Sequence, residues 1–342
     1  MKMRPLGKSG VQASAVGFGA WAIGGWMWGG AVEEESIRAI HAFLDAGGNL
    51  IDTAPVYGFG YSEEVVGKAI ADRRDRVVLA TKCAMRWDLT DAQKQRAHNK
   101  FSTTHQIIGG SGDTNDGQFD VYIYGGRDGI REEVVRSLKR LKTDVIDLLQ
   151  VHWQDDSVPV EEKMGALEEL RTEGKIRAVG VSNVTADQMN EYNRFGRIDS
   201  TQELYSMLDR AKEQDLLPKC ADDAAAFLAY CPLGQGLLTG KITPDREYPD
   251  GDQRGMKDRF KPDNVRKVLA MLDPMRPIAE RHTASLSQVT MAWTLAQRGC
   301  SHVLCGARNE TQAKDNAGAG SIELNPDELA QITQAVQAYT GV

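Results

Sequence analysis

Four side chains of complementary chemistry sit at or just past the ends of three strand-like runs. Asp52 ends Asn49-Leu50-Ile51-Asp52-Thr53-Ala54, and Tyr57 follows in Val56-Tyr57-Gly58. Lys82 ends Val77-Val78-Leu79-Ala80-Thr81-Lys82, and His152 ends Val145-Ile146-Asp147-Leu148-Leu149-Gln150-Val151-His152. A free phenol, with a pKa of about 10, is a poor acid at neutral pH, and a neighbouring ammonium lowers that value. A carboxylate beside the lysine keeps it charged and in place, and an imidazole across a pocket orients a carbonyl or shares its proton. Gathered at one mouth, the four protonate a carbonyl oxygen while hydride arrives from elsewhere. Any one alone reads more simply as an unrelated polar residue at a strand end; the joint pattern argues against that.

The elements that must bring them together alternate. Strand-like runs at 15–18, 49–54, 77–82, 145–151, 176–181, 199–203, 226–230 and 302–305 are mostly separated by helical periodicity, at 33–46, 62–72, 130–140, 161–173, 186–194, 264–281, 287–298, 311–317 and 327–339. Ile37, Ile40 and Leu44 share one helical face, with acids in the first turn and Gly47-Gly48 as a stop. Alternating β and α over this length predicts a parallel sheet covered by helices. Eight units with no break in composition predict an α/β fold of the (β/α)8 TIM-barrel type. It is read as a single domain over 1–342, preceded by an N-terminal β-hairpin at 2–14. In such barrels the chemistry sits at the C-terminal strand ends, where the four residues fall. One segment breaks the rhythm: 88–126, after the third barrel strand, is expected to be a substrate loop or insert.

Bulk properties narrow the function. The 342 residues carry a net charge of −7 with no basic block, which argues against nucleic-acid or anionic-membrane partners. No apolar run suits a signal peptide or a membrane span, and five cysteines without metal-type spacing read as reduced thiols. The expectation is a cytoplasmic protein acting on a small molecule, as a monomer or homo-oligomer.

Several stretches together resemble the aldo-keto reductases: Leu50-Ile51-Asp52-Thr53-Ala54-Pro55-Val56-Tyr57-Gly58, Ser62-Glu63-Glu64-Val65-Val66-Gly67, Ala80-Thr81-Lys82, Ser137-Leu138-Lys139-Arg140-Leu141, Asp147 to His152, and Gly174 to Asn183. The likeness spans nearly the whole chain and is nearest to bacterial sugar- and inositol-linked members related to potassium-channel β subunits. It implies a catalytic tetrad of Asp52, Tyr57 (general acid), Lys82 and His152. It also implies a coenzyme, NADPH/NADP+, with NADH possible but weaker. Ser182, Asn183 and Gln202 match the carboxamide-holding residues, and Tyr205 the aromatic that stacks on the nicotinamide. The run 229–241 matches the pyrophosphate loop, through Cys231, Pro232, Leu233, Gln235, Gly236, Leu238 and Lys241. Gly306, Arg308, Gln312, Asp315 and Asn316 match the adenosine site, with Arg259 as a second cationic contact. Gly19, Trp21 and Asp52 complete the coenzyme set.

Other motifs fail on inspection. Gly17 to Ala22 mimics a dinucleotide fingerprint without its βαβ context, and Gly240-Lys241 lacks the earlier glycine and the Ser or Thr of a phosphate loop. Asp113 to Gly117 hints at a calcium loop with the wrong spacing, and His98 and His105 are expected to be solvated, so no metal is expected. Trp21, Trp26, Trp28, Trp87 and Trp153 all follow strands. With Tyr57 and His152 they make the expected substrate pocket, whose flat faces suit a sugar ring or a polycyclic body. The expected activity is NADPH-dependent reduction of an aldehyde or ketone, sugar-like or polycyclic. Its rivals are an NAD(P)-linked sugar or inositol dehydrogenase working in oxidation, and a nucleotide-sensing β-type subunit.

Overall fold

The structure is a computed structural model that describes residues 1–105 and 117–341, with 98–100 and 105 as backbone only. Met3–Pro5 (β1) and Gln12–Ser14 (β2) form an antiparallel hairpin. Val16–Gly19 (β3), Leu50–Asp52 (β4) and Val78–Cys83 (β5) begin the barrel. Met85–Arg86 (β6), His98–His105 (β7) and Gly117–Ile123 (β8) form a separate antiparallel sheet in the order β6-β8-β7. The barrel resumes with Ile146–Val151 (β9), Ile176–Ser182 (β10), Ser200–Leu204 (β11), Ala226–Tyr230 (β12) and Cys300–Cys305 (β13). Its eight strands are parallel and close in sequence order, β13 pairing back onto β3.

All eight expected barrel strands are present, each with bounds within two residues of its apolar run. The helices follow the same logic. Glu33–Asp45 carries three glutamates in its first turn, where they oppose the helix dipole. Ala186–Phe195, Leu286–Ala296 and Pro326–Ala338 each start on a reciprocal capping box. The helix expected over 264–281 is two helices, Pro262–Leu272 and Arg276–Arg281, separated by a 3-10 turn at Asp273–Met275. Pro274 and Pro277 cannot donate to the preceding turn, so a continuous helix is excluded there. Leu216–Asp223, between β11 and β12, had no counterpart in the sequence reading; it is short, and Pro218 sits in its first turn.

The core has two layers. The larger lies between strands and helices, where Phe18, Phe43, Ile51, Val65, Leu79, Leu149 and Phe227 are buried together. The smaller fills the barrel base: Leu50, Val78, Ala80, Leu148, Ala178, Ala226, Leu228 and Leu304, plugged from below by Leu6 and Ala13 of the hairpin. Arg4 ties the plug down through the carbonyls of Cys300 (2.9 Å) and Ser301 (3.1 Å). His302 Nδ1 meets the Ser14 carbonyl at 3.0 Å, and burial pushes the imidazole down to about 4.

The described part of the 88–126 insert is built rather than irregular. It contains the capped helix Asp91–Arg96 and the β7–β8 ribbon, which continues through β6 straight from β5. Gly109-Gly110 and 113–116 lie outside the described residues, as do the side chains of His98 and His105. Among the described residues no helix is long and apolar enough to cross a membrane.

Candidate active site

The mouth of the barrel brings the four residues together. Asp52 is the last residue of β4, Lys82 lies one before the end of β5, and His152 directly follows β9. Lys82 Nζ donates to both Asp52 oxygens at 2.6 and 2.7 Å and to the Thr53 carbonyl at 2.9 Å, with both side chains almost fully buried. The ammonium lies 5.0 Å from the Tyr57 ring centre, and the His152 ring meets Tyr57 edge-on at 5.8 Å. Trp21 stacks on Tyr57 at 6.0 Å and 26°. The turn presenting Tyr57 needs glycine twice. A Cβ on Gly24 would stand 2.8 Å from the Tyr57 carbonyl, and one on Gly58, at φ +66, 2.2 Å from the Gly24 carbonyl oxygen.

Burial dominates the electrostatics. It pushes Tyr57 well above the ordinary phenol value, with the Asp52 carboxylate adding to the effect. It holds His152 well below the imidazole range, helped by the Lys82 charge. Burial raises Asp52 and lowers Lys82, and each opposes the other's shift. The expectation that the ammonium lowers the phenol's pKa is therefore corrected: desolvation outweighs it and sets the direction of the shift. The site holds a neutral phenol, a neutral imidazole and one buried ion pair. That arrangement stores a proton on the phenol and places a cation where a phenolate would form.

A polar floor lies beneath. Gln202 Nε2 donates to Asp52 at 3.0 Å and to Gln150 Oε1 at 3.2 Å. Ser182 donates to the Gln202 carbonyl at 2.6 Å. Asn183, left-handed at φ 56, donates to the His152 carbonyl and accepts the Tyr230 hydroxyl at 2.9 Å.

A cavity of about 580 Å³ runs from this floor across the mouth. It is lined by Gly19, Trp21, Trp26, Trp28, Asp52, Tyr57, His152, Trp153, Ser182, Asn183, Gln202, Cys231, Pro232, Leu233, Gln235, Gly236, Lys241, Gly306, Arg308, Gln312, Asp315 and Asn316, as the sequence predicts. Lys82 lies just behind, against Tyr57.

Four other expected positions do not line it either. Tyr205 is fully buried, its hydroxyl bonded to Glu213 at 2.8 Å and its ring edge-on to Phe227; Tyr230, at the end of β12, faces the cavity instead. Arg259 is held by Asp209 through 2.8 and 3.1 Å bonds, whereas Arg254 and Arg246 of the same irregular segment line the cavity. Leu238 is a core residue, and Trp87 packs edge-on against Phe59 behind the wall. Tyr230, Arg246, Arg254 and Tyr248 were missed as site residues. Tyr230 had a legible signal, a strand-end aromatic opening Cys231-Pro232; the two arginines had none.

The cavity has two chemical ends. Around Gln235, residues Gly234, Gln235, Gly236 and Gly240 all have positive φ (54°, 58°, 101° and 69°), a backbone form that makes amide-lined anion cradles. Lys241, Arg246, Arg254 and Arg308 supply cations beside it. Arg254 and Arg308 both lie over the Trp28 ring, 5.2 and 5.8 Å from its centre, and Arg308 donates to the Trp28 carbonyl. The other end is aromatic and uncharged apart from the buried Asp52–Lys82 pair: Trp21, Trp26, Val56, Met85 and Trp153. His152 Nδ1 and Gln150 Nε2 are buried there without a protein partner. An anion cradle, a cationic flank and an amide-bearing floor fit a nicotinamide dinucleotide. Among the described residues no group of three or more His, Cys, Asp or Glu could hold a metal.

Comparison with known proteins gives one answer throughout. The profile described as "Aldo/keto reductase family" matches residues 15–337. The chain is 38% identical to the NADH-specific methylglyoxal reductase of Escherichia coli (strain K12) over 99% of both chains. It is 36% identical to aldo-keto reductase YhdN of Bacillus subtilis (strain 168), covering 98% of this chain and 94% of that one. Among solved structures, the glycerol dehydrogenase from Gluconobacter oxydans aligns with a TM-score of 0.83 at 35% identity, covering 99% of this chain and 96% of that chain. An aldo-keto reductase from Klebsiella pneumoniae in complex with NADPH aligns at 0.71 and 26% identity, over 100% and 97%. The chain belongs to the aldo/keto reductase family and is an NAD(P)H-dependent oxidoreductase.

Proposed function

We propose that this member of the aldo/keto reductase family reduces a small, uncharged aldehyde or ketone, with Tyr57 as the proton donor. The observation that carries the reading is a partly buried, neutral phenol 5.0 Å from a lysine ammonium and 5.8 Å from a neutral imidazole, in the lining of a dinucleotide-sized cavity. When bound, the coenzyme supplies hydride to the carbonyl carbon. Tyr57 Oη gives its proton to the carbonyl oxygen. The Lys82 charge stabilises the phenolate left behind, and Asp52 holds Lys82 in register. His152, kept neutral by burial, orients the oxygen. In the reverse direction the same phenolate takes the proton of an alcohol.

On this reading Ser182, Asn183 and Gln202 hold the carboxamide. Because Gln202 Nε2 is engaged by Asp52 and Gln150, and its backbone carbonyl by Ser182, the side-chain Oε1 is the group left for a donor. Tyr230 takes the ring-facing role first expected of Tyr205. Gly19, Trp21, Cys231, Pro232, Leu233, Gln235, Gly236 and Lys241 line the nicotinamide and pyrophosphate path. Gly306, Arg308, Gln312, Asp315 and Asn316 take the adenosine.

The neutral aromatic end offers no cation to an anionic substrate, and two relatives are named for methylglyoxal and glycerol, both small and uncharged. These favour a short carbonyl over the polycyclic alternative. For the coenzyme, Arg308 favours NADPH through its charge toward a 2′-phosphate. Its bond to Trp28 and the nearby Asp252 carboxylate narrow the margin, to about tenfold. One relative is NADH-specific, so the opposite preference is the second reading.

The test is a fluorescence titration with NADPH and NADH, which the mouth tryptophans report, followed by initial rates on methylglyoxal, a neutral aldose and a keto acid. Tighter NADPH and turnover of the neutral carbonyls support the reading. Tighter NADH reverses the coenzyme assignment alone, and failure to bind either nucleotide overturns the function.

A further inference from the structure

The insert reaches the site through one rung of its ribbon. Thr103 on β7 and Phe119 on β8 are partners in register. The Thr103 hydroxyl accepts a hydrogen bond from Trp26 Nε1 at 3.1 Å. The Phe119 ring stacks on Phe59 at 4.0 Å and 12°. Trp26 and Phe59 in turn touch each other, ring centres 5.5 Å apart. The four side chains therefore form a closed circuit with the ribbon backbone as its fourth side.

One end of the circuit belongs to the cavity and the other to the turn that carries Tyr57. Trp26 is part of the cavity's aromatic wall. Phe59 follows Tyr57 by two residues and has φ 53, a conformation that costs a bulky side chain energy and persists only where the surroundings impose it. The Phe119 stack is one of those surroundings; Trp26 and Trp87 are others. Among the described residues, none in 88–126 lines the cavity itself. The described part of the insert touches the wall from behind rather than the space in front.

We propose that Thr103 and Phe119 are a specificity-determining positioning pair, which sets where the Trp26 wall and the Tyr57 turn stand and so selects which carbonyls reach Tyr57. The proposal rests on the reading of Tyr57 as proton donor. It differs from a contact role for the insert, since the selected substrate need never meet a residue of 88–126.

The test compares a short carbonyl, methylglyoxal, with a bulky neutral one, benzaldehyde, in Thr103→Val, Phe119→Ala and Phe119→Tyr. KM and kcat are measured for each substrate, together with NADPH and NADH affinity by fluorescence. The expected result is a change of about tenfold in the kcat/KM ratio between the two substrates for Phe119→Ala and about threefold for Thr103→Val, carried mainly by KM. Coenzyme affinity should stay unchanged, and Phe119→Tyr, which keeps the stack, should restore the wild-type ratio. A structural role alone would lower kcat on both substrates by one factor and leave the ratio in place, which overturns the proposal. If Phe119→Ala does not fold, Thr103→Val, which removes a single acceptor on a partly exposed strand, decides by the same ratio. A wild-type protein that turns over no carbonyl overturns both readings; one that turns over both, with variants of unchanged ratio, overturns this one alone.

Discussion

The two ends of the barrel solve opposite problems with the same eight strands. At the base, apolar side chains of β4, β5, β9, β10, β12 and β13 fill the interior and the N-terminal hairpin caps them. At the mouth, the interior holds a buried ion pair, a phenol kept neutral, and an open cavity. Backbone strain divides the same way. Among the described residues, nine other than glycine have positive φ. Lys142, Ala224 and Thr283 sit at helix ends, and the other six, Met27, Phe59, Ala84, Asn183, Cys231 and Gln235, sit on segments leaving the C-terminal strand ends. Strain of this kind survives only where surrounding packing over-determines it. The base supplies the rigidity, and the mouth uses it.

Substitutions at the two ends should therefore separate activity from stability. The largest effect is expected from Tyr57→Phe, which removes only a hydroxyl at the mouth. Turnover should fall by about 10²–10⁴-fold, the range for lost general-acid catalysis, while coenzyme titration and melting stay as in wild type. Retained turnover in steady-state assays would end the assignment of Tyr57. Lys82→Met should break both properties at once. It removes the charge beside the phenol and leaves Asp52 buried without its cation, so turnover should collapse and unfolding in urea should show a loss of about 3–5 kcal/mol.

Arg4→Ala probes the base. It frees the carbonyls of Cys300 and Ser301 and loosens the plug, with an expected cost of about 1–3 kcal/mol. Its kcat should match wild type; a large fall would mean that the ends are not separable.

Glu133→Gln gives an effect visible only as a pH dependence. Glu133 is buried behind the mouth, where its Oε2 accepts the Ala84 amide at 2.8 Å, and burial raises its carboxyl from 4.5 to about 7. The folded state thus binds more protons than the unfolded state between those values. Stability from this group is complete below pH 4.5 and is lost as pH rises through 7, by up to about 3 kcal/mol. The amide variant should lack that slope in urea midpoints taken at pH 5 and pH 8. Parallel slopes would place the titration elsewhere.

Much of this was legible because the barrel strands are apolar runs whose ends carry the chemistry. Asp52, Lys82 and His152 could be placed at one mouth once the eightfold alternation was recognised. The insert was not legible, because Phe101-Ser102-Thr103-Thr104 on β7 has no apolar alternation for a core; its partners are Trp26 and Phe59, far off in sequence. Tyr205 and Tyr230 illustrate a finer limit. Both follow barrel strands closely, and only the fold shows that one turns toward Glu213 and the other toward Asn183. Arg259 and Arg254 differ for the same reason, since the Asp209–Arg259 pair spans fifty residues.

The seam between β13 and β3 has a consequence for how the chain is made. Arg4 reaches residues near 300, the Lys2 amide bonds the Gly320 carbonyl at 3.0 Å, and β3 pairs with β13. Folding on the ribosome proceeds from the first residues outward. Here the earliest barrel strand waits, one edge bare, until the last has emerged. Helix pairs and the middle strands can assemble during synthesis, but the cylinder and its plug can close only near the end of translation. A ribosome stalled before residue 300 would hold a curved open sheet that still lacks its floor.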